Sequence, residues 1–137
     1  MNELPSRSKD VKILYIEDNT DNRLLMRRIL IAEGFLVLEA GNAVQALEVI
    51  QSQLPDLILM DINMPDIDGY TLTTNMRAMS QLSNVPIIAL TANVMKGDRE
   101  RSLEAGCDGY IQKPIDVDTI GLLIRNFLSL KSDRRSA

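Results

Sequence analysis

Short apolar runs alternate along the chain with longer segments in which apolar residues recur at helical spacing. The runs occupy residues 11–16, 35–38, 57–60, 86–90 and 110–112. They are rich in aliphatic and β-branched residues and end abruptly at polar ones, which is typical of strands covered on both faces. We therefore predict five buried strands.

The segments between the runs predict five helices with recognisable ends. Asn19, Asn42 and Asp116 stand where helix N-caps are expected, and Gly34 stands where the first helix should end. The predicted helices lie between 19 and 34, between 42 and 55, over 70–80, over 94–105 and from 116 onward.

Strands that alternate with helices predict an α/β fold, with a parallel sheet covered by helices on both faces. Crossovers are right-handed, and the flavodoxin-like (βα)5 doubly wound fold with strand order 2-1-3-4-5 is the simplest arrangement. We predict one such domain over 11–130. Residues 1–10 are predicted to be a polar N-terminal arm, and 131–137 a charged C-terminal tail.

The composition fits one ordinary globular domain. The 137 residues include 45% hydrophobic and 25% charged side chains, a balance typical of folded proteins. The formal net charge is −4 and only 4% of residues are aromatic, which disfavours nucleic-acid binding. The start of the chain lacks the apolar centre of a signal peptide, and no apolar run could span a membrane, so we expect a cytoplasmic protein.

Two scarce residue types narrow the possible chemistry. The sequence has no histidine and one cysteine, Cys107. Histidine-assisted serine or cysteine catalysis, zinc sites built on imidazole and internal disulfides are thereby excluded.

Polar residues stand at the ends of four predicted strands. Glu17 and Asp18 follow the first strand, Asp61 the third, Thr91 the fourth and Lys113 the fifth. The carboxyl ends of parallel strands meet at one edge of the sheet, where such folds bind ligands. Three carboxylates with one lysine predict either carboxyl groups with raised pKa or a bound cation. Oxygen ligands suit Mg²⁺, for which Mn²⁺ could substitute.

This set of residues has the chemistry of phosphoryl transfer. A carboxylate beside Mg²⁺ can attack a phosphoryl group and form an aspartyl phosphate. Asp61 is the best nucleophile, because it ends the central strand and the loop after it leaves room for a donor. Lys113 and the hydroxyl of Thr91 can hold phosphoryl oxygens.

The order and spacing of these motifs resemble the receiver domain of two-component response regulators. The resemblance spans nearly the whole chain and is greatest for stand-alone receivers and the receivers of hybrid kinases. The motifs that carry it are Glu-Asp at 17–18, Met-Asp-Ile-Asn-Met-Pro at 60–65, Asp-Gly at 68–69, Leu-Thr-Ala at 90–92, Lys-Pro at 113–114 and the stretch 91–98.

The resemblance implies a phosphoacceptor and a magnesium site. Asp61 would accept the phosphoryl group. Asp18 and Asp61 would bind Mg²⁺ directly, together with the backbone carbonyl of Asn63. Glu17 would bind the ion directly or through water, since the family often has the shorter Asp at this position.

The resemblance also implies a conformational switch. Lys113 would contact the phosphoryl group, and the peptide bond at 113–114 would be cis. Thr91 would move toward the phosphoryl oxygen, and Tyr110 would turn inward with it. The expected readout surface includes Val94, Met95, Tyr110 and the start of the last helix.

The function predicted from these features is that of a single-domain response regulator and phosphoprotein. Because the chain has no histidine, its donor would be a histidine kinase or a histidine phosphotransfer protein. The output would be phosphorylation-dependent contact with a downstream protein, by a monomer or by a dimer formed on phosphorylation. It would catalyse only its own phosphorylation and dephosphorylation, and so would not be a turnover enzyme.

Two other functions fit the same fold. A Mg²⁺-dependent aspartyl phosphohydrolase usually has a second carboxylate two residues after its nucleophile, and that position is Asn63. A phosphorylation-independent binding module is the other alternative. The sequence does not distinguish a stand-alone receiver from a segment of a hybrid kinase, and it does not identify the kinase, the target or the pathway.

Overall fold

The fold is a five-stranded parallel sheet in the order β2-β1-β3-β4-β5, as predicted. The computed structural model describes residues 11–64, 68–92 and 97–136. The predicted N-terminal arm and residues 65–67 and 93–96 lie outside the described residues. The strands are β1 (Lys12–Ile16), β2 (Leu36–Ala40), β3 (Leu57–Asp61), β4 (Ile87–Thr91) and β5 (Gly109–Gln112).

Helices follow each strand in the described part of the chain. They are α1 (Thr20–Ala32), α2 (Ala43–Ser52), α3 (Gly69–Arg77), α4 (Asp98–Ala105) and α5 (Ile120–Ser136), with a 3₁₀ turn at Ser80–Leu82. Within the described ranges, none of these helices has the length and apolar character that crossing a membrane would require. The helical backbone of α5 continues to Ser136, into the segment 131–137 that was predicted to be a charged tail.

The predicted N-caps of the first two helices are confirmed. The Oδ1 atoms of Asn19 and Asn42 each accept a hydrogen bond from the backbone N–H three residues later, at 2.8 Å. Asp116 begins the turn that leads into the last helix. Its Oδ1 accepts from Asp118 N at 2.9 Å and its backbone carbonyl accepts from Ile120 N at 3.0 Å, and α5 is assigned from Ile120.

Three predicted boundaries are wrong, for physical reasons that polarity does not reveal. The fourth helix was expected over 94–105 but begins at Asp98, because the backbone of Gly97 before it is left-handed, with φ 83°. β2 was expected to end before Glu39, but it continues to Ala40 because the half-buried Glu39 forms ion pairs with Arg23 and Arg27 of α1. The third helix was expected to reach residue 80 but ends at Arg77, whose side chain hydrogen-bonds the carbonyl of Leu82 after the chain has turned back.

Two apolar clusters cover the two faces of the sheet. One contains Tyr15 and Leu59 with residues of α1 and α5, and the other contains Ile16 and Met60 with residues of α2 and α3. Side chains alternate between faces along a strand. Two residues after Tyr15 and Leu59 come Glu17, directly after β1, and Asp61, at the end of β3. By this alternation both lie on the face of the first cluster.

Candidate functional site

Asp61 lies at the centre of the carboxyl edge of the sheet and is only 4% exposed. Its Oδ1 atom accepts a hydrogen bond from the backbone N–H of Asn63 at 2.9 Å. The same oxygen forms an ion pair with Lys113 Nζ at 2.9 Å. The protein therefore fixes the direction of this carboxylate from two sides.

Lys113 is placed by the last strand. Its backbone N–H donates to the carbonyl of Thr91 at 2.9 Å, which brings the residue after β5 next to the ends of β4 and β3. The peptide bond between Lys113 and Pro114 is cis, as the resemblance implied. The structure thus brings Lys113 to the sheet edge where it was predicted, and pairs it with Asp61.

Glu17 is 2% exposed and is held by three donors. Oε1 accepts from Tyr15 Oη at 3.1 Å and from Asn22 Nδ2 at 3.4 Å. Oε2 accepts from the backbone N–H of Asn19 at 3.2 Å. Burial and the nearby carboxylate of Asp61 raise the pKa of Glu17 to about 7, although the Asn19 hydrogen bond opposes this.

Both of the other predicted acidic residues lie close to Glu17. The carboxyl group of Asp61 and that of half-buried Asp18 each contribute to the raised pKa of Glu17. Lys113 is the cation paired with Asp61 among the described residues, so the group carries excess negative charge. This is one of the two situations predicted from the sequence, namely a carboxyl group with raised pKa.

The donor set fits a magnesium ion. Across 11–64, 68–92 and 97–136, no three acidic, His or Cys side chains converge as a ready-made metal cage. Mg²⁺ does not require one, because it usually takes one or two carboxylates and keeps water or phosphate oxygens as its other ligands. Burial and then the neighbouring Asp61 carboxylate raise the pKa of Glu17, and a bound cation would favour the charged form of both groups.

Asn63 has a contact that the sequence did not predict. Besides the bond from its N–H to Asp61, its side-chain Oδ1 accepts from the backbone N–H of Ala92 at 3.1 Å. This bond ties the loop after β3 to the loop after β4. The predicted use of the Asn63 carbonyl as a metal ligand remains a prediction.

Thr91 and Tyr110, the predicted switch pair, lie on adjacent strands. Thr91 is fully buried at the end of β4 and pairs with Gln112, while Tyr110 pairs with Ala89. Tyr110 packs against the cluster that contains Ala89. Thr91 comes two residues after Ala89 along β4, so its side chain lies on the same face of the sheet. Both side chains therefore belong to the face that α2 and α3 cover, opposite to that of Glu17 and Asp61.

The predicted readout surface is described in part. Val94 and Met95 lie outside the described residues. Tyr110, Pro114 and Ile120 line a groove of about 400 Å³ between β5 and the start of α5, so the rest of the predicted surface is concave.

Sequence reasoning missed two side chains that hold Glu17, those of Tyr15 and Asn22. Tyr15 is the buried one. Burial, and then the negative charge of Glu17, raise the pKa of its phenol well above the ordinary value, so the hydroxyl stays a neutral donor. The available signal was strand periodicity, which places Tyr15 on the same face as Glu17 two residues later. A hydroxyl within an aliphatic run has to find a partner when it is buried.

Comparison with known proteins gives a consistent family assignment. The response regulator receiver domain family matches residues 13–125. The polar-differentiation response regulator DivK of Brucella anthropi is 38% identical over 116 residues, which are 85% of this chain and 94% of DivK. The sensor histidine kinase CheAY of Helicobacter pylori is 35% identical over 127 residues, which are 91% of this chain but 16% of CheAY.

Solved structures agree with the sequence matches. The receiver domain of a Pseudomonas aeruginosa sensor histidine kinase, with magnesium coordinated in its active site cleft, has a TM-score of 0.79 and 36% identity. The match covers 87% of this chain and 98% of that one. The Vibrio cholerae chemotaxis response regulator CheY4 has a TM-score of 0.79 and 26% identity, over 85% of this chain and 98% of that one. The chain belongs to the response regulator receiver domain family.

Proposed function

We propose that this receiver accepts a phosphoryl group onto Asp61 from a phosphohistidine of another protein and signals through contact with a downstream protein. The observation that carries the proposal is the buried Asp61 carboxylate, paired with Lys113 at 2.9 Å and grouped with Glu17. A carboxylate at the end of the central strand, with a cation fixed on it, is arranged for phosphoryl transfer.

The proposed step moves the phosphoryl group without changing the number of bonds to phosphorus. A carboxylate oxygen of Asp61 forms an O–P bond while the N–P bond of the phosphohistidine breaks. The departing imidazole nitrogen takes a proton from water. Lys113 Nζ, already on Asp61 Oδ1, then faces the negative charge that the phosphoryl oxygens bring.

We further propose a divalent cation at this site. Glu17, Asp18 and Asp61 would hold Mg²⁺ with the backbone carbonyl of Asn63, and Mn²⁺ could substitute. When bound, the ion neutralises negative charge on the phosphoryl oxygens. The magnesium in the related Pseudomonas aeruginosa receiver supports this proposal, as does the raised pKa of Glu17.

The signal would arise at the ends of β4 and β5. A phosphoryl group on Asp61 gives the Thr91 hydroxyl a new partner, and Tyr110 shares the face to which Thr91 belongs. A small local change of this kind can bias a two-state element. We expect the groove beside Tyr110 and the start of α5 to present that change to a protein target.

The proposed partners follow from the chain's chemistry. The donor is a histidine kinase or a histidine phosphotransfer protein, since the sequence has no histidine. The match to 94% of DivK supports a stand-alone role, and the match to 16% of CheAY corresponds to a receiver within a larger kinase. In either setting we propose a cytoplasmic phosphoacceptor that acts on itself rather than a turnover enzyme.

Intact mass spectrometry tests the acceptor. The protein is incubated with a small-molecule phosphodonor, with Mg²⁺ or with a chelator. We expect one phosphoryl adduct that requires Mg²⁺ and is absent from Asp61→Asn. Asp56→Asn, at the exposed residue just before the same strand, is the matched control and keeps the adduct.

Three results would contradict the proposal. An adduct that persists in Asp61→Asn would place the chemistry elsewhere. A folded wild-type protein without an adduct under any condition would favour the phosphorylation-independent binding module. Sustained release of phosphate from many donor molecules would favour the phosphohydrolase.

A further inference from the structure

The phenol of Tyr15 is the only hydroxyl in the sequence of β1. The residue is 3% exposed and otherwise belongs to the apolar cluster beneath α1 and α5. Its Oη donates to Glu17 Oε1 at 3.1 Å. The strand places a hydrogen-bond donor directly under the first acidic residue of the site.

Glu17 is held from two directions. Tyr15 reaches it from the sheet. The backbone N–H of Asn19 and the side chain of Asn22 reach it from the start of α1, at 3.2 and 3.4 Å. The donors are divided between the two carboxylate oxygens, so they fix the orientation of the group as well as its position.

A glutamate needs this support more than an aspartate would. Its side chain has one more rotatable bond, and freezing that bond costs conformational entropy when a ligand binds. A donor that fixes the carboxylate beforehand removes part of this cost from the binding step. Partners of this kind orient metal ligands in many proteins, and losing one typically weakens metal binding about 10–100-fold.

The geometry also places Tyr15 where it can act on the site. Tyr15, Glu17 and Lys113 line one cleft of about 260 Å³. Lys113 in turn pairs with Asp61. The tyrosine therefore contacts the acidic group through Glu17, on the face to which Asp61 belongs.

We propose that Tyr15 is a positioning residue for the divalent cation, acting by orienting the Glu17 carboxylate through its hydroxyl. This inference rests on the proposed function, since it assumes that the site binds Mg²⁺. A purely structural role for Tyr15 is the competing explanation, because its ring fills space in the apolar cluster. The test therefore removes only the hydroxyl.

Calorimetric titration with Mg²⁺ measures the predicted effect. We expect Tyr15→Phe to bind Mg²⁺ about 10-fold more weakly than the wild type. Tyr70→Phe, in half-buried Tyr70 of α3, is the matched control and binds as the wild type does. The decisive comparison is made in a Glu17→Gln background, where adding Tyr15→Phe should weaken binding no further.

A second measurement needs no change at Tyr15. Mg²⁺ binding should alter the near-ultraviolet absorbance of tyrosine in the wild type, because the acceptor of the Tyr15 hydroxyl responds to the cation. The same titration of Glu17→Gln should lose that signal. Calorimetric binding without any tyrosine signal in the wild type would overturn the inference, whether or not Tyr15→Phe folds.

The outcomes separate the two proposals. A wild-type protein that binds no Mg²⁺ contradicts the proposed function itself. If Tyr15→Phe binds Mg²⁺ as tightly as the wild type does, only the proposed role of Tyr15 is overturned. Equal weakening by Tyr15→Phe in both backgrounds would also overturn it, since a packing defect does not depend on the Glu17 charge.

Discussion

Two ion pairs between an aspartate and a cation lie at opposite edges of the same sheet. At the amino edge, Arg77 Nη2 contacts Asp108 Oδ2 at 2.7 Å. At the carboxyl edge, Lys113 Nζ contacts Asp61 Oδ1 at 2.9 Å. The charged atoms are almost equally close, yet their surroundings differ.

Both members of the amino-edge pair have several other hydrogen-bond partners. Arg77 also donates to the carbonyls of Gly106, Leu82 and Val85 at 2.9–3.1 Å. Asp108 Oδ2 additionally accepts from the backbone N–H that begins β4, at 2.9 Å. The guanidinium, with its fixed fork of donors, joins segments that are distant in the sequence. This pair holds the structure together.

The carboxyl-edge pair carries an excess of like charge. Asp61 has the lysine and one backbone donor, but Glu17 lies close enough for the two carboxyl groups to interact. A lysine is a point charge on a flexible stem, which can follow a group that is added to its partner. Under the proposed function, the comparison leads us to expect that such an ion pair serves stability where its neighbours satisfy it and chemistry where they do not.

The largest expected effect is at the carboxyl edge, on reaction rate. Lys113→Met should slow formation of the phosphoryl adduct by about 100–1000-fold, because a preorganised positive charge is lost where negative charge develops. Time-resolved intact mass with a small phosphodonor measures the rate. Lys12→Met, at the start of β1, is the control and should react as the wild type does.

The next effect, at the amino edge, is on stability. Arg77→Met should lower the free energy of unfolding by about 2–3 kcal/mol, since it leaves Asp108 partly buried without its cation. Urea titration measures this change. The adduct should form at the wild-type rate in the folded fraction, and Arg28→Met on the exposed side of α1 should leave stability unchanged. If Arg77→Met reacted more slowly but kept the wild-type stability, stability and reactivity would not be divided between the two edges of the sheet.

The smallest effect is a pH dependence at the acidic group. The pKa of Glu17 is raised from its ordinary 4.5 to about 7, so the folded protein retains a proton that the unfolded chain releases between these values. In the presence of a chelator, this contribution to stability therefore falls as pH rises from about 4.5 to 7. Glu17→Gln should remove this pH dependence and be more stable than the wild type at pH 7.

Urea titrations across this pH range test that expectation. The difference in unfolding free energy between Glu17→Gln and the wild type should grow with pH and level off above 7. Glu48→Gln, on the exposed side of α2, should give no such slope. A difference that is constant from pH 4.5 to 7 would show that Glu17 is not the source.

The two edges also differ in how far the sequence predicts them. Asp61 and Lys113 were predicted to meet, because parallel strands end at one edge and their last residues can be read from the apolar runs. The contacts of Arg77 were not predicted. Arg77 binds backbone carbonyls, which every residue has and which no side-chain pattern marks. Tyr15 lies between these cases, since strand periodicity places it beside Glu17 but its apolar neighbours suggest only packing.

Chemical trapping of the phosphorylated residue tests the central claim most directly. Borohydride converts an aspartyl phosphate to homoserine, and peptide mass spectrometry then locates the change. The account predicts homoserine at position 61, only when both the phosphodonor and Mg²⁺ are present. Reduction at Glu17 or Asp18, or no reduced residue in a protein that carries the adduct, would contradict it.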